Sequence, residues 1–150
     1  MIDSPRPEVR KAGLPNRVRL GGGVCAVALV GVLAGCGSVD EREAAIRSAV
    51  EQFDAAAAAK DGASLCAALA PGTRSELEDS EQQPCAEAVA GLRLPAAGAV
   101  SGVDVYGQEA RVVAAGDTLF LSRFAGGWKV VAAGCRPELG RPYQCAVKGG

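Results

Sequence analysis

An uncharged stretch from Leu20 to Gly35 divides this chain into a part that is discarded and a part that folds. Before it lies a basic segment with Arg6, Arg10, Lys11, Arg17 and Arg19 against Asp3 and Glu8. Its apolar heart runs from Val24 to Ala34 and ends on small residues. A helix that crosses ~30 Å of hydrocarbon needs about 20 apolar residues, and this run is too short and too rich in glycine. A basic start, a short apolar centre and small residues at the end make a secretory signal instead. Read so, residues 1–35 are removed and 115 of the 150 residues remain, enough for one modest core.

The close of that run, Leu33-Ala34-Gly35-Cys36, resembles the bacterial lipobox. The resemblance implies diacylglycerol on the Cys36 thiol, cleavage between Gly35 and Cys36, and a mature chain held at the extracytoplasmic face of the cell membrane. Residues 36–39 are then the lipidated cysteine and a short linker, and residues 40–150 a single domain. Two acyl chains hold a protein on a membrane stably, where one does not.

Five of the 16 basic residues and two of the 17 acidic ones lie before residue 36, so the remainder carries 11 against 15, a net charge near −4. It has no basic stripe, which argues against nucleic acid as a partner. The chain has no histidine, and so lacks the commonest general base at neutral pH and the commonest transition-metal ligand. No glycine-rich phosphate loop follows a strand, and no acidic cluster has calcium-loop spacing. Neither a metal nor an organic cofactor is expected.

Of six cysteines, Cys25 falls in the signal and Cys36 at the cleavage site. Cys66, Cys85, Cys135 and Cys145 remain, an even number in an exported domain, which reads as two disulfides. Three connectivities are open; the short loops Cys66–Cys85 and Cys135–Cys145 are favoured because each joins adjacent elements. A zinc site would want closely spaced pairs such as C-x-x-C, and none occurs.

Within the domain the apolar pattern starts helical. Ser38-Val39-Asp40-Glu41 has the form of a capping box, and Ile46, Val50, Phe53 and Ala57 form one stripe of a helix running to about Lys60. Asp61-Gly62 ends it, with Gly62 in the left-handed position after the helix. A short helix from about Ala63 to Ala70 follows, then one or two turns through Leu77. Glu78 to Gln83 shows no apolar period and is expected as a loop, after which Cys85, Val89 and Leu92 mark a third buried helical face.

After Pro95 the period changes to two. Val103 and Val105 alternate with Asp104 and Tyr106; Glu109–Ala114, Thr118–Phe124 and Trp128–Ala133 follow as strands, separated by short turns. Such turns make neighbouring strands antiparallel. On simple alternation Trp128, Val130 and Ala132 share one face, and Phe120, Ser122 and Phe124 another. Arg136 to Gln144, with two prolines and a glycine, is expected as a surface loop whose Arg and Tyr side chains suit partner contact. The fold class is α+β: N-terminal helices packed on an antiparallel meander of about four strands.

A long first helix, shorter helices and a meander ending in Gly126-Gly127-Trp128-Lys129 resemble the nuclear-transport-factor-2-like (SnoaL-like) cone, as found in small exported actinobacterial lipoproteins. That resemblance implies a curved sheet with a pocket against the first helix, for which Phe53, Asp54, Tyr106, Phe120 and Trp128 are the candidate lining. It fits a non-catalytic binding module for a small apolar ligand or an envelope partner. An isomerase or hydrolase using a buried acid, drawn from Asp54, Asp104, Glu109 and Asp117, is the alternative, and a purely structural envelope protein another. Fold alone does not choose among them.

Overall fold

A computed structural model describes Ser38–Gly149; the signal and the Cys36 lipid site lie outside the described residues. Among the described residues four helices precede the strands: α1 Val39–Ala59, α2 Gly62–Ala68, α3 Pro71–Glu81 and α4 Cys85–Gly91. Strands β1 Val100–Tyr106, β2 Glu109–Ala114, β3 Thr118–Phe124, β4 Gly127–Ala133 and β7 Val147–Lys148 form one antiparallel sheet in the order β1-β2-β3-β4-β7. Between β4 and β7 the chain makes a separate hairpin, β5 Arg136–Glu138 with β6 Arg141–Gln144. The domain is α+β, with five strands in its main sheet.

The Ser38 hydroxyl accepts from the Glu41 amide at 3.2 Å, and the Glu41 carboxylate accepts from the Ser38 amide at 2.7 Å. Two of the amides that a helix start leaves free are thereby satisfied. The helix lays Ile46, Val50 and Phe53 against Val112, Leu119, Leu121 and Val130 of the sheet, all in one apolar cluster. Register puts these strand residues on the same face, since Val112 pairs with Leu119 and Leu121 with both Ala110 and Val130.

Lys60, not Gly62, takes the left-handed position after α1, at φ 53°. The Asp61 amide closes the helix by donating to the Ala56 carbonyl at 2.9 Å, while the Asp61 carboxylate caps α2. Gly62 is required for another reason: a Cβ there would run into the backbone carbonyl of Ala86 on α4. The α2–α4 approach is close enough for the Cys66–Cys85 disulfide, with Cα atoms 6.0 Å apart.

Two segments expected as loops are regular. Residues 78–81 continue α3, a helix that buries only Thr73 and Leu77 and therefore shows no broad apolar stripe. Residues 136–144 are the β5–β6 hairpin, held at its base by the Cys135–Cys145 disulfide. Tyr143 of that hairpin meets Phe120 edge-to-face, with ring centres 5.2 Å apart. The hairpin therefore covers part of the sheet face opposite the helices.

The expected face of Ala132 also changes. Pairing shifts between Phe120 and Leu121, so Leu121 faces Val130 while Phe120 faces Ala132. Val131 is the extra residue of a bulge, and Ala132 moves to the Phe120 side. The Val131 carbonyl accepts from the Thr73 hydroxyl and the Gly149 amide, each at 3.0 Å. The Ala70 amide donates to the Val130 carbonyl at 2.8 Å, so the α2–α3 link and β7 together close the edge of β4.

Candidate functional site

A groove of about 730 Å³ lies between α1, α2 and the start of β4. One wall is the flank of α1 beside its buried stripe, where Ala45, Ala49, Gln52, Ala56 and Ala59 recur at helical spacing, from exposed Ala45 to buried Ala56. The second wall is α2, and the third is Gly126, Gly127 and Trp128. Small side chains on α1 and glycines in the β3–β4 turn leave the space, and the chain's single tryptophan gives it one broad apolar surface.

Its two charged lining residues differ in sign. Asp61 accepts from the Ser64 hydroxyl at 2.6 Å and from the Ser64 amide at 3.1 Å, and these bonds hold its carboxyl below the ordinary carboxylate range. Lys129 donates its ammonium to the Ala67 carbonyl at 2.6 Å. The groove thus joins an apolar floor to fixed polar groups at its margins, as binding grooves do.

Of the residues expected to line a pocket, Trp128 lines this groove. The structure does not bring the other four together with it. Phe53 is buried in the core at 2 % exposure, and Tyr106 is 64 % exposed at the end of β1. Phe120 packs on Tyr143, on the sheet face away from α1. Asp54 turns from the groove and accepts the amides of Ala97 at 2.9 Å and Gly98 at 3.3 Å. It fastens the crossover between the helical half and the sheet.

The remaining acids have equally local partners. Asp104 takes two hydrogen bonds from the Arg111 guanidinium, at 2.7 and 3.0 Å. Glu109 accepts from the Ser122 hydroxyl at 2.6 Å. Asp117 is the buried one, 8 % exposed; it accepts from the Gly134 amide at 2.9 Å and the Cys135 amide at 2.8 Å. Burial pushes its carboxyl above the ordinary value, against the pull of those amides and with a smaller repulsion from Asp54. Among the described residues no three His, Cys, Asp or Glu side chains gather as a metal site.

Sequence reasoning missed most of the groove, because alanines carry no chemical signature. The available signal was their spacing: Ala45, Ala49, Ala56 and Ala59 fall on one flank of the helix, next to the Ile46, Val50 and Phe53 stripe.

No family model matches the chain, and no curated protein matches it. Among solved structures, Rv3472, a protein of unknown function from Mycobacterium tuberculosis, is similar at a TM-score of 0.31 and 15% identity, over 77% of this chain and 78% of that one. A likeness that faint carries no argument about fold or activity. The two disulfides, Cys66–Cys85 and Cys135–Cys145, are those of a domain that matures in an oxidising, extracytoplasmic environment. No helix among the described residues is long and apolar enough to cross a membrane.

Proposed function

We propose that the chain is an extracytoplasmic lipoprotein, held to the cell membrane by diacylglycerol on Cys36, whose nuclear-transport-factor-2-like domain is a non-catalytic binding module. The groove between α1, α2 and β4 receives a segment of an envelope partner. The observation that carries this reading is the groove itself: about 730 Å³ of open space, floored by alanines and Trp128, with Asp61 and Lys129 at its margins. Small side chains let another backbone approach closely, and a fixed acid and base give orientation. The SnoaL-like isomerase or hydrolase finds less support, since Asp54, Asp104, Glu109 and Asp117 each hold backbone amides or a neighbouring side chain.

A photo-crosslinking amino acid at Gln52, in the groove, tests the reading in living cells against the same residue at Glu76 on α3. The expected result is an adduct of defined mass from position 52 only, abolished by Ala55→Arg, which fills the groove from an exposed helix position. Identical adducts from both positions, or an adduct indifferent to Ala55→Arg, would contradict it.

A further inference from the structure

A second cavity, of about 280 Å³, opens where the end of α1 meets α2 and α4. Its floor is aliphatic. Leu65 and Val89 are each 2 % exposed, and Leu92 and Leu94 are half-buried. Two cations stand at its mouth, Lys60 and Arg93, both exposed. No acid lines the cavity, and the ion pairs among the described residues, Arg111–Asp104 and Arg141–Glu138, leave Lys60 and Arg93 without a carboxylate partner.

Lys60 holds its place at φ 53°, a conformation that glycine adopts at far lower cost. The lysine side chain is therefore set beside the mouth by a backbone conformation that favours another residue. An ammonium near a helix end complements the helix dipole, which accounts for one cation but not for the leucine-lined space beneath it.

The two halves of the cavity select different parts of one molecule. Leucine and valine side chains gain by removing hydrocarbon from water, and would offer nothing to a free phosphate. Two cations lacking a carboxylate partner gain from an anionic head group, and would offer nothing to a neutral hydrocarbon. We infer that this cavity binds a single-chain fatty carboxylate, its tail on Leu65, Val89, Leu92 and Leu94 and its head group between Lys60 and Arg93. The inference is independent of the groove reading. The 21 residues of α1 span ~31 Å, so the cavity stands a full helix length from Val39. The occupant inferred is a free fatty acid.

The test uses the whole lipoprotein in phosphatidylcholine vesicles, illuminated with diazirine-tagged dodecanoate, and maps adducts by peptide mass spectrometry. Saturable labelling of the peptides that carry Leu65, Val89 or Leu94 is expected, with markedly weaker labelling by diazirine-tagged dodecanol, which lacks the charge. Lys60→Gln with Arg93→Gln should raise the half-saturating dodecanoate concentration about fivefold, the scale of losing two exposed ion pairs. Ala90→Trp, at an exposed position lining the cavity, should suppress labelling with both cations in place. Equal labelling by dodecanol, adducts confined to other peptides, or labelling unchanged in both variants would overturn the inference.

Discussion

Replacing Cys66 and Cys85 together by alanine is expected to lower folding stability by about 3 kcal/mol. The bond closes a loop between residues 19 apart, and the open chain regains that loop's freedom when it unfolds. Three kcal/mol is a large share of what a domain of this size commands. The effect also acts on the native state. Cys66 and Cys85 are 7 % and 4 % exposed, between helices close enough that Gly62 cannot carry a side chain, so alanine leaves sulfur-sized gaps in a packed contact. Urea unfolding followed by circular dichroism should show the midpoint falling in the double variant while Cys135–Cys145 stays intact. An unchanged midpoint would mean that the α2–α4 contact holds itself.

Removing the Asp117 carboxylate is the second large perturbation, with an expected loss of about 2 kcal/mol or more for Asp117→Ala, because the buried Cys135 amide and the half-buried Gly134 amide lose their acceptor together. The Gly134 and Cys135 amides lie where β4 gives way to the hairpin, so the second disulfide and the turn before it lose their anchor to β3. The wild-type advantage should also depend on pH in a definite direction. Burial raises the native carboxyl of Asp117 above its unfolded value of 3.8. Between the unfolded and the native value, the folded protein keeps a proton that the unfolded chain has lost, so the contribution of Asp117 falls as pH rises through that interval. The stability difference between wild type and Asp117→Ala is therefore expected to be greatest at the acid side of the interval and to shrink above it. A difference that grew with pH would mean that the two amides outweigh burial.

These two sites also show what the sequence revealed and what it withheld. The main helix and the meander were legible because each follows one period: Ile46, Val50 and Phe53 at spacings of four and three, then alternating residues after Pro95. The end of α3 was not, because a helix that buries only Thr73 and Leu77 looks like a polar loop. The β5–β6 hairpin was hidden by prolines that sit in its short exposed strands, where they are tolerated. The bulge at Val131 left no local mark; its carbonyl answers Thr73 and Gly149, distant in sequence.

The candidate site was less legible for a related reason. Aromatic residues attract attention as pocket lining, but Phe53 is needed by the core and Phe120 by Tyr143. Of the aromatic residues Trp128 combines burial with a place on the groove, and its neighbours there are alanines that α1 brings from some 70 residues away in the chain. Asp54 and Asp117 have the residue type of a catalytic acid, and in the structure they act on backbone amides as fasteners. Only the pairing of elements distinguishes the two roles.

The measurement closest to the centre of this account is the intact mass of the native protein extracted from cell membranes. A chain that begins at Cys36, carries the mass of a thioether-linked diacylglycerol, and has its other four cysteines oxidised is the expected result. A polypeptide that still begins at Met1, with free thiols and no lipid, would contradict the anchor and the compartment together.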